Sequence, residues 1–70
     1  MTNDLTESAE QLYDFIEELI SKENDTKKRY ALLAARDHMT RAIRCLIIDD
    51  LDRAEPYLEK AYSCIKEARA

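Results

Sequence analysis

TKKRYALLAARDHMTRAIRCLII, residues 26–48, is the longest uninterrupted helical pattern in the chain and its only markedly basic stretch. Leu32, Ala35, Met39, Ala42 and Leu46 recur at three- and four-residue intervals. At about 100° per residue that spacing keeps all five on one side of a helix, and Ile43 reinforces the seam. Tyr30, Leu33 and Ile48 fall well away from it on a helical wheel and make a second apolar surface. A helix that is apolar on two sides needs neighbours on two sides. Arg29, Arg36 and Arg44, with Thr40 among them, occupy a flank between the two surfaces.

Working outward from this stretch, residues 21–25 form a polar break too short for anything but an antiparallel connection. Asn24 is a candidate for a left-handed cap, and Asp25 or Thr26 for the N-cap of the central helix. On the amino-terminal side Leu5, Ala9, Leu12, Ile16 and Leu19 make a second seam. Tyr13, Phe15 and Ile20 widen it beyond what one neighbour would cover, and Asp4 with Glu7 reads as a capping box. On the carboxyl-terminal side the acidic turn at residues 49–52 precedes a third seam, Ala54, Leu58, Ala61, Ile65 and Ala68, flanked by Tyr57, Tyr62 and Cys64. Asp52 and Glu55 read as its capping box, with Pro56 closing the first turn where a missing N–H matters little.

The expected fold is therefore all-α: an antiparallel three-helix bundle, with helices at about 4–22, 26–48 and 52–69, in one domain over residues 1–70. Composition agrees. The chain contains no glycine and one proline, which suits helix throughout and leaves few residues for tight turns. A core of this size yields only a few kcal/mol of net stability. Tyr13, Phe15, Ile20, Tyr30, Leu33, Ile47, Ile48, Tyr57 and Tyr62 outnumber what one layer can bury. A homodimer is expected to cover the surplus. A swap of the first helix onto a second chain is the structural alternative.

In residues 50–65, the placement of Ala54, Leu58 and Ala61 is similar to the small–large–small pattern in the second half of a tetratricopeptide-type hairpin. The Trp, Gly and terminal Pro of that repeat are absent, so no family is assigned. The similarity implies only that hairpins of this kind commonly serve protein recognition.

Several chemistries are disfavoured. Without glycine there is no phosphate-cradling loop and no dinucleotide fingerprint. His38, the single histidine, has Ala34, Ala35, Arg41 and Ala42 one turn away, none of them a metal ligand. It falls near the level of Cys64, but a nucleophile also needs a cleft and an oxyanion site. Glu17 with Glu18 and Asp49 with Asp50 lack the loop geometry of a calcium site. Catalysis, metals and cofactors are not expected. Cys45 and Cys64 are offset by on the order of 12 Å along a hairpin, beyond the roughly 7 Å that a disulfide spans, so both are expected as packed free thiols. There is no export signal and no apolar run approaching the roughly 18 residues of a membrane span. A cytoplasmic protein is expected, with no membrane association.

Charge is distributed unevenly. The net charge of −4 resolves into −7 over residues 1–25, +5 over 26–48 and −2 over 49–70. Acidic outer helices beside a basic central one favour the bundle by complementarity, although exposed pairs contribute only about 0–1 kcal/mol each. The functional expectation is a non-enzymatic protein–protein interaction module, a small adaptor or regulator acting through helix faces. Its partner-binding residues are read as Arg29, Tyr30, Leu33, Arg36, Arg44 and Ile48 on the central helix, with Tyr13 and Phe15 on the first. Two alternatives rest on charge. Lys27, Lys28, Arg29, Arg36, Arg41 and Arg44 could contact nucleic-acid phosphates. The acidic stripe Glu7, Glu10, Asp14, Glu17 and Glu18 could imitate a phosphate backbone and occupy another protein's nucleic-acid site.

Overall fold

A computed structural model describes residues 2–70, with side-chain surroundings from Asp4 onward. Among the described residues there are three helices and no strand: α1 (Thr2–Lys22), α2 (Thr26–Ile47) and α3 (Leu51–Arg69). The chain folds back twice, so α1 and α3 both run antiparallel to α2.

α2 is the centre of the fold. Its seam is buried in full, with Leu32, Ala35, Met39, Ala42 and Leu46 all inside. α3 lies along one side of it and buries Ala54, Ala61, Ile65 and Ala68; Leu58, expected in that seam, is only half-buried. Both faces alternate large and small residues. Ala35 and Ala42 on α2, with Ala54, Ala61 and Ala68 on α3, are buried, and the antiparallel register sets small residues of one helix level with large ones of the other along most of their length. α1 also packs on α2, less extensively than α3 does. Its buried residues are Ala9, Ile16 and Ile20, so the helix is rotated relative to the expected seam. Ile20, expected on the periphery, is core. Leu5 is 51% exposed instead, and Leu12 and Leu19 are half-buried. The apolar arc of α1 is wide enough to allow either choice, and β-branched Ile16 and Ile20 took the contact with α2.

The helix ends are set by aspartates. Asp25 is the N-cap of α2, its carboxylate accepting from the Lys28 N–H at 3.0 Å. Asp50, not Asp52, caps α3 and accepts from the Arg53 N–H at 3.2 Å. Pro56 consequently sits in the second turn, deeper than expected, where the missing N–H leaves the Asp52 carbonyl without its helical donor. Asp4 lies within the first turn of α1, which begins at Thr2, so the expected box at Asp4 and Glu7 does not start the helix. The left-handed position is Asp49, at φ 63°, and Asn24 is not left-handed. At the end of α2 the Asp49 N–H reaches the Leu46 carbonyl at 3.0 Å and the Asp50 N–H reaches that of Cys45 at 2.8 Å. This pair of bonds is a Schellman ending, formed without glycine. One residue later Asp50 opens α3, so one turn closes one helix and starts the next.

Candidate functional site

α1 and α3 each pack more closely on α2 than on each other. Among the described residues no Cα of α1 comes within 8 Å of a Cα of α3. The space between them is an open groove of about 650 Å³. Its floor is Met39 and Leu46 of α2, its α1 wall Leu5, Ala9, Leu12 and Phe15, and its α3 wall Leu51, Ala54, Leu58 and Tyr62. A second concavity continues from Leu12 and Tyr62 past Ile65 to Lys66 and Arg69. The groove thus follows most of α3.

The apolar groups along it are partly wet. Leu5 is 51%, Phe15 46%, Leu51 48% and Tyr62 55% exposed. These four aromatic and branched side chains line one groove, whereas the other large exposed ones lie outside it, Tyr30 near the start of α2 and Ile47 and Ile48 at its end. A concentration of this kind marks an interaction surface more often than an accident of composition. Charge along the groove is polarised. Glu55 lines it near the start of α3, while Lys66 and Arg69 line the far end.

The residues singled out from sequence are divided by the fold. Phe15 stands in the groove wall. Tyr13 and Arg44 are brought together on the other side of α1, in a shallower cleft with Glu10, Asp14, Thr40 and Ile43. Arg29 is turned inward. Its Nη1 donates to the carbonyls of Ile20 at 2.6 Å and Glu23 at 3.2 Å, satisfying the carboxyl end of α1. Arg36 donates to Glu17 Oε1 at 3.1 Å, linking α2 to α1. Leu33 is half-buried against the core, and Tyr30 and Ile48 are 68% and 70% exposed. Sequence reasoning missed Leu5, Leu51, Leu58 and Tyr62 as one surface. The available signal was that the apolar arcs of both outer helices extend beyond their seams.

The sequence matches no protein-family model, no curated protein and no solved structure.

The remaining polar chemistry is sparse. Among the described residues no three His, Cys, Asp or Glu side chains are grouped to hold a metal. His38 is half-buried, and its Nδ1 is buried without a hydrogen-bond partner. Cys45 and Cys64 are free thiols, each half-buried. Burial, and then the nearby Glu67 carboxylate, push the Cys64 thiol above its ordinary pKa, which keeps it protonated and a poor nucleophile at neutral pH. Among the described residues no helix is long and apolar enough to cross a membrane.

Proposed function

We propose that this chain is a non-enzymatic protein-interaction module of the cytoplasm that docks an amphipathic helix in the groove between α1 and α3. The observation that carries the reading is the alignment of half-exposed Leu5, Phe15, Leu51 and Tyr62 along the two walls of one open groove. A helix needs a channel about 10 Å across between its neighbours, and an inserted helix would complete a four-helix arrangement. The polarity of the groove defines the guest. It carries an apolar stripe at three- and four-residue spacing, a basic group where it passes Glu55 and an acidic group where it passes Lys66 and Arg69. Tyr13 and Arg44 share a second, smaller cleft with Thr40 and Ile43 on the α2 side, available to a regulator that engages more than one protein.

The basic-flank alternative gains nothing from the geometry. Arg29 and Arg36 are committed to α1, and Arg41 pairs with Asp37 at 3.6 Å. The acidic stripe is likewise interrupted, since Glu17 holds Arg36 and Glu18 holds Lys22. The test is photo-crosslinking in living cells, with a benzophenone amino acid at Tyr62 or, for comparison, at Ile48. Adducts from position 62 that map to helical segments, and that disappear when Phe15→Glu is added, are expected. Adducts from position 48 alone would overturn the groove as the docking surface.

A further inference from the structure

The guest in the groove can be named by asking which helix carries its charge pattern. Glu55 has no ion-pair partner among the described residues, and neither have Lys66 and Arg69. They lie at opposite ends of the same apolar strip of α3, which includes Leu58, Tyr62 and Ile65. Read antiparallel, this strip complements itself. A second copy rotated end for end sets its Lys66 and Arg69 against Glu55, and its own Glu55 against Lys66 and Arg69. A twofold axis requires this reciprocity, because each contact in an isologous interface occurs twice. A parallel approach would leave the acidic ends of the two copies together.

On this basis we infer that the groove is a self-association surface, occupied by the apolar face of an antiparallel second copy. The inference rests on the docking reading above and names its occupant. Two further observations support it. The molecule measures 37 × 19 × 15 Å, so its groove-bearing face is of the order of the ~800 Å² per partner that a standard interface buries. The core is also thin. Among the described residues, half of the twelve that are buried are alanines, which contribute little transfer free energy, and a chain of this length gains most from burying Leu5, Phe15, Leu51 and Tyr62 in a partner.

The test is the native mass of the full chain by sedimentation equilibrium, with helicity checked by circular dichroism for every variant. The expected mass is twice the 8.2 kDa of one chain, with a Tm that rises with protein concentration. Phe15→Glu and Tyr62→Glu each alter an exposed groove residue and are expected to give a helical monomer, whereas Ile48→Glu on α2 leaves the dimer intact. Glu55→Lys is expected to weaken association at least tenfold, and Lys66→Glu added to it to restore most of the loss. A dimer insensitive to Phe15→Glu and Tyr62→Glu, or a charge swap that restores nothing, would overturn the antiparallel groove dimer. A wild-type chain that stays monomeric while position 62 still crosslinks to other proteins would overturn self-association and leave the docking reading standing.

Discussion

α2 is held by its two neighbours in different ways. Against α3 it buries an alternation of alanines and larger apolar residues, the connection is one turn long, and Asp49 and Asp50 finish one helix and begin the other. Against α1 it relies on two isoleucines, one alanine and two arginine links, Arg29 to the end of α1 and Arg36 to Glu17. The first pairing is close and extended, the second looser and more polar. Buried alanines let α3 lie along α2 more extensively than α1 does, and the groove lies between the two outer helices. The same difference makes α1 the arm that opens first, because sub-global opening follows the smaller buried surface.

Substitutions can break this contrast or sharpen it. Ile16 is the largest fully buried side chain of α1, and Ile16→Ala is expected to cost about 2–5 kcal/mol. Native-state hydrogen exchange would then show α1 amides losing protection while those of α2 and α3 retain theirs. Uniform loss across the three helices would mean that the arms are not separable. Ala61 has no exposure at the α2–α3 contact. Enlarging it to leucine is expected to destabilise by about 1–3 kcal/mol in a urea titration, and the same change at Ala9 by less, since α1 can shift outward.

The polar links come next in size. Arg29→Ala removes two charge-assisted bonds to carbonyls and is expected to cost about 1–2 kcal/mol, with fraying confined to the last turn of α1. Arg36→Ala breaks a half-exposed pair and is expected to cost below about 1 kcal/mol. At the tight turn, Asp49→Gly relieves a left-handed aspartate and is expected to raise stability by up to about 1 kcal/mol, read as a higher Tm.

The smallest effect concerns Cys64, a half-buried thiol packed at the edge of the core. Its raised pKa means less thiolate at any pH below the titration, so iodoacetamide should modify it more slowly than an unstructured peptide thiol. The pH midpoint of that reaction should move down in Glu67→Gln yet stay above the ordinary thiol value, burial being the larger cause.

Much of the bundle was legible because periodicity is a strong signal where large and small apolar residues alternate without competition. All five residues of the α2 seam are buried. Periodicity failed on α1, where Leu5, Leu12, Leu19, Ile16 and Ile20 span an arc wider than one contact and sequence alone does not say which edge meets α2. Asp25 was legible as a candidate cap of α2, but the cap of α3 was missed for another reason. Asp49, Asp50 and Asp52 offer the same carboxylate within four residues, and only the backbone decides which one receives the N–H groups. Arg29 was readable as a surface cation, but its use in ending α1 depends on where the chain folds back. The groove was the least legible feature. It lies between two helices that each fit α2, and its width depends on how closely each of them approaches α2.

Hydroxyl-radical footprinting of the chain in dilute and in concentrated solution tests the central claim most directly, because it reads side-chain exposure residue by residue. Leu5, Phe15 and Tyr62 are expected to become protected together on concentration, while Tyr30 and Ile48 keep their reactivity. Protection of Tyr30 and Ile48 with continued labelling of Phe15 and Tyr62 would contradict the groove as the surface through which this protein associates.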